Sequence, residues 1–263
     1  MTDSQVHLFP SSSHTSARAF GHRVIGRDEL MAEMARAGVR RAILIPPRVP
    51  QATNENAQAA ASRWPERLRV VGKVSTDPSS WRPVAEQWPA SSMLGLRVSF
   101  PPSAPGPADA SSGDFWRTAE AAGIPVMVWS PGRLNELRQV AQRHTGLKIA
   151  ADHCGLGSAD RGGDVASLLP EVRQLAACPN VSVKVSALPA HSACEYPFAD
   201  LHSFVAEIAR CFGARRMFWG SDLSGLKCSY SDAVKMFTEG LTCLTGEELE
   251  WVMGRSISEW LNW

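Results

Sequence analysis

Charge of one sign is not in excess in this sequence: 27 Lys and Arg stand against 26 Asp and Glu, a formal net charge of +1. That balance gives no electrostatic reason to expect nucleic acid or an anionic membrane as partner. Long apolar runs are missing too. None approaches the roughly 20 residues that a membrane-spanning helix needs, and the first residues lack the apolar core of a signal peptide. Six cysteines (154, 178, 194, 211, 228, 243) are widely spaced with no CxxC pair. This predicts reduced, mostly buried thiols in a cytoplasmic protein.

Several catalytic signatures are also absent. Gly155-Leu156-Gly157 is followed by Asp160 where a dinucleotide fingerprint needs its third glycine, and no P-loop, GxSxG elbow or HExxH helix occurs. Nine tryptophans (64, 81, 88, 116, 129, 219, 251, 260, 263) are scattered along the chain, which suits core and interface packing better than a platform for stacking bases. The expected partner is therefore a small molecule; the sequence leaves a homo-oligomer open.

What is present is a rhythm. With 263 residues, 44% of them apolar, the chain has the length of one α/β barrel, typically about 250 residues. Short β-branched runs alternate with helical segments, the pattern of βα units and a parallel sheet. Eight strands are predicted, at Gln5-Phe9, Arg41-Ile45, Arg69-Lys73, Gly95-Ser99, Pro125-Trp129, Lys148-Asp152, Ser182-Val185 and Met217-Trp219. Helices are predicted over 27–37, 54–63, 115–122, 134–143, 165–176 and 201–211, several ending at a glycine (Gly38, Gly123, Gly213) as helix C-termini prefer. Ser11-Gly26 and Pro101-Gly113 read as loops, and Thr245-Trp263 as a closing helix. The expectation is a single (β/α)8 barrel domain spanning the chain.

In such a barrel chemistry sits at the C-terminal ends of the strands. His7, Arg97, Asp152-His153, Lys184 with Ser186, and Ser221-Asp222 fall there. Asp222 reads either as a helix N-cap or as a general base. His153 and His7 read as structural histidines or as polar contacts to a substrate; Asp152, on the opposite side of its strand from His153, need not pair with it. Arg97 is costly to bury unpaired, so it pairs with an internal carboxylate or awaits an anionic substrate group, for which its fork is suited. Lys184 could be a reactive lysine if burial depressed its pKa, or an ion-pair residue. Trp129 and Trp219, at strand ends, are candidates to line a pocket for a flat, unsaturated substrate. His14 and His22, in the first long loop, either close over the site or are solvated.

Four segments in order carry a resemblance: Asp3-Ser4-Gln5-Val6-His7, Ala151-Asp152-His153-Cys154-Gly155, Val183-Lys184-Val185-Ser186, and Phe212 through Gly220-Ser221-Asp222. With the ending Gly254-Arg255 to Trp263, they resemble the amidohydrolase-related family of the amidohydrolase superfamily over essentially the whole chain. The resemblance implies a distorted (β/α)8 barrel acting on a carboxylic derivative, commonly a lactone, less often decarboxylating an acid. Some members hold a divalent metal through a first-strand HxH pair, a later His and the eighth-strand Asp; others, similar to pyrone-dicarboxylate hydrolases, work without metal.

This chain departs from the metal pattern twice. Gln5 stands where the first His belongs, and a neutral amide is a weak ligand for zinc; the fifth strand ends Val128-Trp129-Ser130-Pro131 without a histidine. A zinc or manganese site of His7, His153 and Asp222 would need solvent or substrate to complete it, and metal independence is favoured. The expected activity is opening of a lactone or similar cyclic ester of a small, carboxylate-bearing acid. Asp222 would be the base, His153 and His7 catalytic contacts, and Arg97, Gln5, Trp129, Asn54, Lys184 and Tyr196 substrate-binding. Asn54 and Tyr196 enter only through segments similar to the family's substrate-facing ones. The alternatives are a metal-dependent decarboxylase and a barrel that binds a ligand without converting it.

Overall fold

The computed structural model describes residues 1–9, 23–49 and 51–263. The strands are β1 Thr2–Val6, β2 Arg41–Leu44, β3 Leu68–Val74, β4 Gly95–Ser99, β5 Val126–Trp129, β6 Ile149–Ala151, β7 Val181–Ser186 and β8 Met217–Gly220. They form one sheet in sequence order, every neighbouring pair parallel. β8 returns to β1. The Asp222 N–H donates to the Gln5 carbonyl at 2.9 Å. At Gly220 a Cβ would lie 2.7 Å from Ser4 Oγ and 3.0 Å from Gln5 Cβ, so this seam needs a glycine for two backbones to approach. The result is the expected (β/α)8 barrel.

Between the strands lie α1 Arg27–Arg36, α2 Asn54–Ala61, α3 Pro78–Glu86, α4 Gly113–Ala121, α5 Leu134–Arg143, α6 Leu169–Ala176, the short α7 Leu188–His191, and α8 His202–Phe212; α9 Tyr230–Lys235, α10 Gly246–Glu250 and α11 Ser256–Leu261 follow β8. The three glycines predicted to end helices all have positive φ, 70° at Gly38, 64° at Gly123 and 69° at Gly213. α3 was not among the helices predicted. It starts on Pro78 with the Asp77 side chain accepting from the Ser79 N–H at 2.8 Å, a sound N-terminus, but Pro83 lies within it and weakens its helical reading. The run predicted over 165–176 divides into a 3₁₀ segment, Gly162–Leu168, and α6.

The first strand is the main difference of placement. It spans Thr2–Val6, not Gln5-Phe9, and its register against β2 shifts between Asp3 and Val6. The Asp3 carboxylate accepts the Gln5 N–H at 2.9 Å, a local side-chain bond that competes with the ladder. His7 therefore follows the strand instead of lying within it.

The core has two shells. Outside the barrel, helices and strands share one large apolar cluster that includes Leu30, Phe115, Trp116, Phe204 and Trp219. Inside, at the N-terminal end, Ile43, Val71, Met127, Ala150 and Phe218 meet Ile257 and Leu261 of α11. Arg41 donates to Ser258 Oγ at 2.5 Å and to the Trp263 carbonyl at 3.1 Å, and Lys148 to the Trp260 carbonyl at 3.3 Å. Since Arg41 begins its strand and Lys148 immediately precedes β6, the closing segment plugs the bottom of the barrel. It is helical as predicted, but in two pieces joined by a wider turn, Trp251–Arg255.

Two expectations need correction. The six cysteines are all free, but only Cys154 and Cys178 are buried; Cys194 and Cys243 are exposed. Trp219 does not line a pocket: β-strand alternation turns Phe218 inward, and Trp219 packs outside the barrel, stacked on Tyr230 at 6.3 Å. Most of the loop predicted at Ser11-Gly26, with His14 and His22, lies outside the described residues. Among those described, no helix is long and apolar enough to cross a membrane.

Candidate active site

Next to the apolar plug, inward positions of β1, β4 and β7 and the residue that follows β6 are polar. Arg97 of β4 donates from Nε to Asp152 Oδ2 at 2.8 Å. Lys184 of β7 lies 3.1 Å from Asp152 Oδ1, an ion pair whose angle falls short of a hydrogen bond. Its ammonium donates instead to Gln5 Oε1, with Met127 Sδ at 3.5 Å. All four polar residues are buried. Burial pushes the Asp152 carboxyl up, but the Lys184 and Arg97 cations outweigh it and hold the group well below the usual carboxylate range. Burial lowers Lys184 in turn, opposed by Asp152. The geometry supports the charged pair, because Asp152 has two cations to satisfy it.

The Gln5 amide passes this order upward. Gln5 Nε2 lies 3.2 Å from His7 Nε2, and His7 Nδ1 is 2.7 Å from the Ile45 carbonyl. An ammonium only donates and a carbonyl only accepts. Lys184 therefore fixes Oε1 on its own side, Nε2 of Gln5 donates to His7, and His7 carries its proton on Nδ1.

At the rim the chain leaves regular strand geometry. His153, Cys154 and Asp222 have φ of 53°, 57° and 52°, left-handed conformations that cost non-glycine residues energy and concentrate at functional sites. They aim Asp222 between two imidazoles: Oδ1 is 3.4 Å from His7 Nε2 and Oδ2 is 4.0 Å from His153 Nε2. The Asp222 side chain does not cap the turn that follows, Leu223–Gly225, which disfavours the N-cap reading. His153 Nδ1 is held 2.9 Å from Ser186 Oγ. Burial lowers the His153 pKa to about 4, against the pull of Asp222 and Asp152, so the ring is neutral at neutral pH.

Beneath Asp222 lies a second buried carboxylate. Asp3 accepts from the Ser221 N–H at 2.9 Å, from the Ser221 hydroxyl, and from Tyr230 Oη at 2.6 Å, besides the Gln5 N–H. Burial raises its pKa and these donors oppose the rise. It ties the start of β1 to the residue before Asp222.

His7, His153, Arg97, Trp129 and Asp222 line one cavity of about 370 Å³ at the C-terminal end of the barrel. Arg48, Arg161 and Lys227 line it as well, so among the described lining residues Asp222 is the one carboxylate facing four cations. The Arg48 guanidinium lies over the Trp129 ring, 4.0 Å from its centroid, a cation–π contact. Its loop is held by Lys73 of β3, whose ammonium donates to the Pro47 and Ala52 carbonyls at 2.8 and 2.9 Å.

Four of the residues singled out in the sequence do not reach this cavity. Gln5 and Lys184 are buried outside its lining, bonded to each other. Asn54 bonds the Lys73 backbone in both directions, at 2.7 and 3.0 Å, fastening α2 to β3. Tyr196 is 41% exposed, with Glu239 Oε2 at 3.4 Å. Arg97 pairs with Asp152, one of the two readings weighed for it, and also lines the cavity. Sequence reasoning missed Arg48, Arg161 and Lys227, which stand on irregular loops without a motif. It placed Asp152 at a strand end but gave it no role, although Asp152 follows inward-facing Ala150 by two residues, a signal for its place among the buried charges. As for a divalent ion, His7 Nε2 receives the Gln5 amide, and among the described residues no group of three or more His, Cys, Asp and Glu is disposed to hold one.

The amidohydrolase family model matches residues 12–256 of the chain. No curated protein sequence matches it. Among solved structures, an amidohydrolase from Burkholderia multivorans, one of whose crystals holds bound zinc, has a TM-score of 0.80 at 17% identity, covering 99% of this chain and 98% of that one. A protein from Acinetobacter baumannii, provisionally assigned as a 2-pyrone-4,6-dicarboxylic acid hydrolase and holding citric acid, has a TM-score of 0.75 at 17% identity, covering 100% and 99%. The 5-carboxyvanillate decarboxylase of Sphingomonas paucimobilis has a TM-score of 0.69 at 14% identity, covering 100% and 98%. At these identities the likeness is one of fold.

Proposed function

The chain belongs to the amidohydrolase family, and we propose that within it this protein hydrolyses a lactone or similar cyclic ester carrying at least one carboxylate. The observation that carries the reading is Asp222, set between two imidazoles in a cavity otherwise lined by cations. A general base must lie within reach of the proton that it takes, and Asp222 alone among the described lining residues is a carboxylate.

In the proposed reaction Asp222 takes a proton from water as the water oxygen bonds to the ring carbonyl. The tetrahedral intermediate collapses, the ring C–O bond breaks, and Asp222 returns the proton to the leaving oxygen, giving a hydroxy acid. In this reading the Ser186 hydroxyl donates to His153 Nδ1, and the neutral ring carries its proton on Nε2, facing the carbonyl. Such a donor stabilises charge that develops on the carbonyl oxygen. His7, with its proton on Nδ1 and the Gln5 amide on Nε2, borders Asp222 without donating to it. Arg97, Arg48, Arg161 and Lys227 receive the carboxylate, where a guanidinium fork gives geometric selectivity.

The fold neighbours include a protein assigned to dicarboxylate lactone hydrolysis and a decarboxylase, so the discriminating experiment follows both products. Carboxylated lactones and unsaturated acids are incubated with wild type and Asp222→Asn, with ring opening followed by absorbance and carbon dioxide by trapping. Ring opening by wild type, lost in the variant, supports the reading. Release of carbon dioxide without ring opening would replace it with decarboxylation, and tight binding without either product would leave a ligand-binding barrel.

A further inference from the structure

We infer that Gln5 and Lys184 form a built-in relay that occupies the metal-facing nitrogen of His7 and so keeps divalent cations out of this site. The inference concerns the same site as the proposed hydrolysis but rests on the hydrogen-bond chain alone, so either can fail without the other.

The two ends of the hydrogen-bond chain are fixed by partners with one possible role, and between them His7 Nε2 meets both the Gln5 amide and, at 3.4 Å, Asp222 Oδ1. Lys184 is wholly buried and can only donate; it sits against Asp152 and points into Gln5 Oε1. The amide orientation follows, and with it the donor that meets His7 Nε2 at 3.2 Å. The Ile45 carbonyl at 2.7 Å takes the remaining ring proton. A metal at His7 would have to displace the Gln5 N–H from Nε2, leaving a buried amide donor unsatisfied and a buried ammonium close to a dication. Either is costly: a buried polar group left unpaired loses its hydration without compensation, and like charges in a low-dielectric interior repel strongly. Metal ligation by imidazole needs that nitrogen's lone pair.

The two halves of the relay make different demands on a test. In the single variant Gln5→His, a second imidazole appears but the Lys184 ammonium remains to bond it. In Gln5→His combined with Lys184→Met, both the amide and the cation are gone, while Asp152 keeps Arg97 at 2.8 Å as its counter-ion. Untagged wild type and both variants are dialysed against cobalt(II), then against metal-free buffer, and assayed by mass spectrometry of metal content and by the visible cobalt bands. The inference expects negligible cobalt in wild type and in Gln5→His, and about one equivalent with visible bands in the double variant, as a site with nitrogen and carboxylate ligands gives. A cooperative thermal transition identifies folded variants.

Cobalt retained by wild type and lost in His7→Ala would overturn the inference, as would a folded double variant that binds none. Wild type alone supplies an independent check. Long-range proton–nitrogen NMR of the imidazoles reports the His7 tautomer: a proton on Nδ1 is expected, and one on Nε2 would break the relay at its last link.

Discussion

The barrel interior holds two layers drawn largely from different strands. At the bottom, Ile43, Val71, Met127, Ala150 and Phe218 close around Ile257 and Leu261 of α11. From β1, β4, β7 and the residue after β6, Gln5, Arg97, Lys184 and Asp152 are equally buried but joined by charge and hydrogen bonds, with Arg97 in register with Met127 and Lys184 with Phe218. Positions in the apolar layer tolerate any apolar side chains of the right volume. Those in the charged layer do not, since removing one member leaves another buried without a partner. An apolar layer and a charged layer thus meet inside the barrel, and the predictions test how separable they are.

The largest expected effect lies at the rim. Asp222→Asn removes the proposed base while keeping nearly the same shape, so turnover falls by about 10²–10⁴-fold, the usual contribution of general base catalysis, with the unfolding midpoint little changed. Steady-state rates and a urea melt on the same preparation check both halves. A variant with wild-type turnover would return Asp222 to the structural layer.

Next come paired truncations, one in each layer. Phe218→Ala empties a buried aromatic site at the bottom, for which about 3–5 kcal/mol is typical; activity per folded molecule should survive. Asp152→Ala leaves Arg97 and Lys184 as uncompensated buried cations, also about 3–5 kcal/mol, but it disturbs Gln5 and His7 above and should lower activity as well. Urea melts with active-site titration separate the two. Equal losses of activity per folded molecule would show that the layers are not distinct.

This division was partly legible in the sequence. Parallel βα rhythm is a property of short local segments, so the strand count, the helices ending at Gly38, Gly123 and Gly213, and the clustering of Arg97, His153 and Asp222 at strand ends could be read directly. Where the backbone leaves its period, the reading slipped. Asp3 bonds to the Gln5 N–H and shifts the register of β1, so the first strand was placed three residues late. Left-handed φ at His153 and Asp222 re-aims both side chains in a way that alternation cannot anticipate. Arg48 reaches the cavity because Lys73 holds its loop by backbone carbonyls, a contact with no local signature. Asn54 and Tyr196, named through family likeness rather than physical argument, stand away from the site.

A smaller effect concerns pH. His153 is neutral in the fold down to about 4, while an exposed histidine takes its proton near 6.5. As pH falls through that window, the unfolded chain binds a proton that the folded chain refuses, so stability drops with falling pH. By pH 5 the loss is about 2 kcal/mol. Burial lowers His191 too, which acts in the same direction, so the His153 share is the difference between wild type and His153→Gln. Urea melts at pH 7 and pH 5 measure it; a difference that did not flatten in the variant would place the titration elsewhere.

The smallest effect is expected at the mouth. Arg48 is exposed and lies over the Trp129 ring, so it shares solvent with the substrate it would meet, and exposed charge pairs are worth only about 0.2–1 kcal/mol. Arg48→Ala should raise KM for a carboxylated lactone several-fold, about the factor that such an energy implies, and leave kcat nearly unchanged, the pattern of lost uniform binding. Added salt should shrink the difference, because screening acts on exposed charges at this distance. An uncharged lactone should show no change at all. If instead kcat fell and KM held, Arg48 would act on the transition state, and the charged layer would extend from the barrel interior up to the loop that Lys73 holds.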